Sequence, residues 1–236
     1  MSILAEKAAA FRRGVLDRLL PQDCLLCSAA AGDALLCAAC AADLPQLAAA
    51  RCPRCAQPGP ANETCGRCQK TPPHFDAMRA PHPYAFPVDR MIQQLKYGHQ
   101  LAIADHFGEQ LAAACRGIAA DLIIPMPLHA TRLAERGFNQ ALEIARPLAR
   151  ATGIPIDSRC CVRERPTSPQ EGLSLAERRR NLRNAFFCST DFAGRHLLLV
   201  DDVATTGASA DECARTLKLH GASRVTVAVV ARTLLD

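Results

Sequence analysis

The spacing of the cysteines constrains this chain more than any other feature. Cys24 and Cys27 form one C-x2-C pair, nine residues follow, and Cys37 and Cys40 form the next; the unit recurs as Cys52, Cys55, Cys65 and Cys68 with the same nine-residue gap. Each pair offers two thiolates from one tight turn, and two pairs complete a tetrahedral set of sulfurs. Zinc suits that set, in a closed site that holds structure rather than performing chemistry. Disulfides and an iron–sulfur centre are the competing uses of such thiols. The repeat favours sequential pairing, the first four cysteines around one ion and the last four around another, with an interleaved cross-brace as the alternative. The chain has 13 cysteines, an odd number, and its first residues lack the charged-then-apolar layout of a secretory signal. A reducing, cytoplasmic setting is therefore expected.

Composition matters mainly through where the charge lies. The chain has 236 residues and a formal net charge of +5. Residues 1–78 contribute +1 and residues 159–183 contribute +4, so the excess is one local patch rather than a coat. Each zinc held by four thiolates adds a net negative charge of about two, which turns the cysteine-rich part acidic and makes it a poor electrostatic seat for DNA. A structural or docking role fits that part better, since some fifty residues build little core of their own. Leu4, Phe11, Val15 and Leu19 recur at helical spacing, so residues 1–23 read as an amphipathic helix ended by Pro21. No run of apolar residues is long enough to span a membrane. The proline-rich stretch TPPHFDAMRAPHPYAFP marks a boundary, giving a double ribbon over 24–72 and a second domain over 80–236.

That second domain reads as α/β. DLIIPMPL is a short buried strand stopping in a loop, GFNQALEIARPLARATG is helical, CCVRERP begins as a strand, and HLLLVDD, GASADECARTLKLHG and RVTVAVVAR make a strand–helix–strand unit. Near-continuous apolar strands alternating with helices indicate a mostly parallel sheet flanked by helices. Ligands of such sheets sit beyond the carboxyl ends of the strands, where Asp201 and Asp202 would meet the loop after Pro127. Two adjacent acids at the end of a buried strand repel each other and lose hydration, so a cation or a set of hydroxyls must face them. The loop that follows, Ala204, Thr205, Thr206, Gly207, Ala208 and Ser209, offers close backbone approach, hydroxyl donors and a helix N-terminus, the parts of a phosphate cradle. A phosphate at one end and a diol at the other describes ribose 5-phosphate. The acids also resemble the magnesium-binding strand of ATPases, but the chain has no G-x-x-x-x-G-K-[ST] loop.

Residues 197–209 resemble the phosphoribosyl pyrophosphate (PRPP) signature of type I phosphoribosyltransferases. With the cysteine units, VDRMIQQLKYGHQ, IIPMPLHATRLAERGFNQA and RPTSPQEGLSLAERRRNLRNAF, the chain resembles the ComF family, which takes in competence-associated and GntX-like proteins. The resemblance implies a type I phosphoribosyltransferase-like α/β domain behind a four-cysteine ribbon. It implies that Asp201 and Asp202 hold the ribose hydroxyls, that Ala204 to Ser209 hold the 5-phosphate, and that Pro127, Leu128, His129 and the residues up to Thr131 lie against the pyrophosphate and its Mg2+. That segment lacks the glycine usual in other phosphoribosyltransferases. The family also implies a role in DNA uptake, with single-stranded DNA or competence and recombination proteins as partners.

Arg163, Arg165, Arg178, Arg179, Arg180 and Arg183 lie where this fold carries a mobile hood, placed to stabilise the charge on a departing pyrophosphate. Arg132 and Arg136, at i and i+4, reach the same place from one helical face. A solvated arginine face is the plain alternative, as is a track for single-stranded DNA. With no Trp, two Tyr and eight Phe, a stacking platform is thinly supplied, and Tyr84, Tyr97, Phe138, Phe186 and Phe187 read as core. Cys115, Cys188 and Cys213 read as packing residues. The expected activity is transfer of phosphoribosyl from Mg2+-bound PRPP to an acceptor, against a non-catalytic module that senses PRPP or a nucleotide or grips DNA.

Overall fold

The fold is that of a computed structural model, in which residues 22–61, 63–164 and 184–235 are described. The helix expected over 1–23 lies outside them except for its last residues, as do Arg165, Arg178, Arg179, Arg180 and Arg183. The chain divides into two compact units, residues 1–44 and 45–236. In the first, β1 (Gln22–Asp23) pairs antiparallel with β2 (Ala30–Gly32), and a short helix α1 (Ala38–Ala42) starts at Cys37, whose sulfur accepts from the Cys40 N–H at 3.5 Å. The larger unit opens with the Cys52–Cys68 ribbon and its helix α2 (Gly66–Lys70), so the second four-cysteine unit belongs to the same body as the sheet.

The sheet contains β3 (Ala77–Arg79), β4 (His82–Pro83), β5 (Leu122–Pro125), β8 (His196–Ala204) and β9 (Arg224–Arg232). Its order is β3-β9-β8-β5, β4 adds beside β9, and every pairing is parallel. Such a sheet needs helices on both faces, which is why LLLV and VAVVA are unbroken apolar runs. Leu197, Leu199, Val225, Val227 and Val229 share one core with Ala214 and Leu217 of α7 (Ala208–Leu219). The alternate residues Leu198, Val200, Ala228 and Val230, all 0% exposed, point to the opposite face. There α4 (Ala102–Ala114) and α6 (Gln140–Thr152) pack together, preceded by α3 (Val88–Tyr97) and α5 (Ala130–Arg136).

One expected strand takes another role. β6 (Cys161–Arg163) stays out of the main sheet and pairs antiparallel with β7 (Phe186–Cys188). A single parallel bridge from Arg163 to His129 ties this ribbon to the loop leaving β5. Cys115, Cys160, Cys161, Cys188 and Cys213 are all buried, and the Cys161 and Cys213 sulfurs lie 3.9 Å apart.

The α4–α6 contact depends on a glycine. A Cβ at Gly108 would lie 2.7 Å from the Ile144 carbonyl oxygen and against the Pro147 ring, with backbone on one side and no flexible end to yield. Gly108→Ala is expected to lower stability by about 1–3 kcal/mol, as overpacking does. Gly59→Ala, whose Cβ would meet nothing within 4 Å, should leave the thermal unfolding midpoint near the wild-type value.

Candidate functional site

β8 carries its two acids beyond the buried run, at the carboxyl edge of the sheet. Asp202 is 3% exposed. Its carboxylate pairs with Lys96 Nζ at the end of α3 and accepts from Gln140 Nε2 at 3.0 Å. Gln140 Oε1 in turn accepts from Arg136 Nη1, and the Arg136 guanidinium lies 5.4 Å from the Tyr97 ring centroid. Asp201 is only partly covered, and its Oδ1 accepts the Asp202 N–H at 2.9 Å. Three helices thus converge on one carboxylate.

Burial opposes charge on both acids, and their neighbours decide which one yields. Burial first, then the charge and hydrogen bond of Asp202, push the Asp201 carboxyl well above the usual range. Burial pushes Asp202 the same way, but the Lys96 charge and the bonds from Lys96, Asp201 and Gln140 outweigh it and leave Asp202 below the usual range. Lys96 loses by burial and gains more from Asp202 and Asp201, so its ammonium is held more firmly than usual. The two acids are thus pushed in opposite directions, and the one beside the lysine is the one favoured as an anion.

The loop after β8 turns at Gly207, whose φ of 81° suits glycine, and α7 begins there. Thr205, Thr206, Gly207, Ala208 and Ser209 wall a small cleft that Asp201 also lines. The first turn of α7 leaves its N–H groups without partners inside the helix. Pro127 is buried, Leu128 partly so, and His129 starts α5, its Nδ1 accepting from the Thr131 N–H at 3.3 Å.

Of the described arginines, two join the acids. The Arg163 guanidinium lies 5.7 Å from the Phe186 ring centroid, and burial lowers its pKa against the opposing pull of Asp201. Arg136 sits in the Gln140 network, while Arg132 pairs with Glu135 at 3.1 Å on the exposed side of α5. Lys96 and Gln140 carry no local mark of a role, since a lysine in the last turn of an amphipathic helix reads as a solvated face. The one clue was the demand that two adjacent acids make for a cation. Tyr97 differs from its reading as core: it is 69% exposed, with the Arg136 guanidinium on its ring.

The cysteines settle into sequential sets. Within each of Cys24, Cys27, Cys37, Cys40 and Cys52, Cys55, Cys65, Cys68, the four sulfurs lie within 4.8 Å of one another. Tetrahedral zinc with bonds of about 2.3 Å requires sulfurs about 3.8 Å apart. The Cys27–Cys37 and Cys55–Cys65 separations of 3.7 and 3.6 Å fit that figure, and the Cys65 N–H points at the Cys52 sulfur at 3.4 Å. These are two four-cysteine zinc-binding sites. Among the described residues no helix is long and apolar enough to cross a membrane.

Residues 15–69 match the family model of the double zinc ribbon domain. The chain is 38% identical to the DNA utilization protein YhgH of Escherichia coli O157:H7 over 191 residues, 78% of this chain and 84% of that protein. It is 34% identical to competence protein F of Haemophilus influenzae over 178 residues, 71% and 78% of the two chains. Similarity extends to competence protein ComFC of Bacillus subtilis, 25% identical over 179 residues and 72% of each chain. Among solved structures, a purine phosphoribosyltransferase of Pyrococcus horikoshii aligns with 54% of this chain and 71% of its own, at 19% identity and a TM-score of 0.36. Zinc-ribbon units joined to a parallel α/β domain with an acidic strand end define the class of protein. Within that class, the chain belongs to the ComF family.

The split between the two acids has a measurable consequence. A carboxyl held above its unfolded value contributes its stability below about pH 4 and loses it as pH rises through the folded value. Asp201→Asn, which cannot titrate, is expected to raise the thermal midpoint of the ligand-free protein at pH 8 and to change it little at pH 4. The gain should be about 1.4 kcal/mol for each tenfold preference for the protonated form.

Proposed function

We propose that the cleft at the carboxyl end of β8 binds PRPP as its Mg2+ complex and transfers the phosphoribosyl group to an acceptor. The observation that carries this reading is the continuity of one surface. A pair of adjacent carboxyls runs directly into a glycine turn and the first turn of α7, and Asp201 shares a cleft with all five loop residues from Thr205 to Ser209. Neighbouring ribose hydroxyls donate well to a carboxylate, and a 5-phosphate suits N–H groups at a helix start. In this reading Asp201 and Asp202 hold the diol, and Ala204 to Ser209 hold the phosphate. In the same reading Arg163, Arg132 and the loop from Pro127 to His129 face the pyrophosphate, a role also assigned to Arg178, which lies outside the described residues.

Chemistry then needs no nucleophile from the protein. The acceptor lone pair forms a bond to C1 of the ribose as the bond from C1 to the pyrophosphate oxygen breaks, and pyrophosphate leaves with the electron pair. The enzyme contributes position and charge. Arginines meet the growing negative charge of the leaving group, while the Lys96-held carboxylate keeps the ribose ring fixed.

A second reading draws on the relatives, whose names refer to DNA utilization and competence. In it the same domain is a non-catalytic factor that binds single-stranded DNA through its arginines or senses PRPP or a nucleotide.

Calorimetric titration of PRPP with Mg2+ separates the two. Wild type should bind, and the Asp201→Asn/Asp202→Asn double variant should lose about a hundredfold or more in affinity, at roughly 1.5–3 kcal/mol for each bond to a charged group. Pyrophosphate release on adding an acceptor would complete the case for transfer. No binding by wild type, together with salt-dependent oligonucleotide binding that the double variant retains, would favour the DNA module.

A further inference from the structure

The zinc-bound knuckle of the larger unit is wired to the loop after β8. Arg232, the last residue of β9, is 1% exposed, although it is an arginine. Its Nε donates to the Cys55 carbonyl at 3.0 Å, and its Nη1 donates to the carbonyls of Ala204, at 2.6 Å, and Thr205. A second strand of bonds runs in parallel. The Thr233 N–H donates to the same Ala204 carbonyl at 3.0 Å, Gln57 Nε2 donates to the Thr233 carbonyl at 2.8 Å, and Gln57 Oε1 accepts the Leu235 N–H at 3.0 Å. Cys55 and Gln57 are themselves set by the knuckle, where the Cys52 N–H donates to the Gln57 carbonyl at 2.8 Å and the Ala56 N–H to the Cys52 carbonyl at 2.9 Å.

Charge reinforces the geometry. Among the described residues no carboxylate lies within ion-pair distance of Arg232. A buried guanidinium without a counter-charge is costly. Zinc held by four thiolates carries a net charge of about −2, and Cys55 and Cys68 line the same cleft as Arg232, Thr206 and Gly207. With zinc bound, the cluster would serve as both the anchor and the counter-ion of the arginine.

We propose that the second four-cysteine site is a positioning element for the β8–α7 loop and that Arg232 is the positioning residue that connects them. The carbonyls of Ala204 and Thr205 are fixed from the zinc side, which aims the following N–H groups and Thr206 into the cleft. An arginine with three carbonyl acceptors is suited to this, because its donors form a rigid planar fork. The inference rests on the reading of that loop as the 5-phosphate site only for its consequence on affinity; the mechanical link stands apart from it.

The test uses full-length protein and two variants, Arg232→Gln and Cys65→Ser/Cys68→Ser. Zinc per chain is counted by native mass spectrometry, amide exchange is followed at Thr233 and at Leu199 in the core of β8, and PRPP with Mg2+ is titrated by calorimetry. Arg232→Gln is expected to keep both zinc ions and wild-type exchange at Leu199. Thr233 should exchange at least tenfold faster, with at least a tenfold loss of PRPP affinity. Arg232→Lys, which keeps the charge with a single donor group, should recover part of both. The double cysteine variant should hold one zinc ion and show the same two losses. Unchanged Thr233 exchange in Arg232→Gln and in the zinc-deficient variant would overturn the proposal. If the cysteine variant also loses protection at Leu199, zinc is needed for the whole unit, and Arg232→Gln alone decides. Faster Thr233 exchange in a protein whose wild type binds no PRPP would sustain the link and remove the phosphoribosyl reading instead.

Discussion

A carboxylate buried at the end of a parallel strand is the constraint to which the rest of the larger unit answers. Asp202 cannot be left charged without a partner in a site 3% exposed, since an unpaired buried charge costs more than most single interactions contribute. Lys96 supplies the partner and must be delivered by the last turn of α3. Gln140 supplies the second bond and must stand at the start of α6, which Asn139 caps by accepting the Ala141 N–H at 2.9 Å. Asn139 also donates to the Met126 carbonyl at 3.0 Å, so the start of α6 is tied to the loop leaving β5. One charge thereby coordinates β8, α3, α6 and the β5 loop.

The same economy explains why two adjacent acids are tolerated. With one lysine available, Asp202 is the acid favoured as an anion, while burial and Asp202 push the Asp201 carboxyl toward its protonated form. Asp201 is the more accessible of the two and is the one that lines the cleft. A ligand able to stabilise its anion would meet a group already oriented and in need of a partner. Preorganisation of this kind costs stability in the unliganded protein and returns it as differential binding.

Much of this was legible from the residues. The parallel sheet followed from the unbroken apolar runs of β8 and β9, the turn at Gly207 from a glycine between small residues, and the zinc sites from a repeated spacing that favoured zinc over disulfides or an iron–sulfur centre and left the pairing open. Less legible was everything that depends on a contact distant in sequence. Lys96 and Asp202 are more than a hundred residues apart, and neither carries a local mark of the other. Tyr97 read as core because aromatic rings usually are, yet it is largely exposed, with a guanidinium near one face of its ring. β6 read as one more strand of the alternating pattern; three residues cannot show whether they join the sheet or pair off with β7. Arg232 was hidden most completely, since an arginine ending a strand ordinarily reaches solvent.

Arg232 also bears on why the second ribbon and the sheet form one body. A short zinc ribbon has little core of its own, and its metal fixes a knuckle rather than a large surface. What it can export is a set of accurately placed backbone groups. Here those groups are the Cys55 carbonyl and the Gln57 amide, whose partners lie at and just after the end of β9, and Arg232 passes the connection on to the Ala204 carbonyl in the turn after β8. His74, just beyond the ribbon, adds a further tie: its N–H and ring Nδ1 both meet Asp211 Oδ1, at 2.6 and 2.9 Å, in the first turn of α7. The loop is thus held from β9 on one side and from α7 on the other. A glycine-containing turn is free to adopt many shapes, and a binding turn must keep one. Fixing it through a metal-bound knuckle places the rigidity outside the cleft, so the residues facing a ligand stay small and uncommitted.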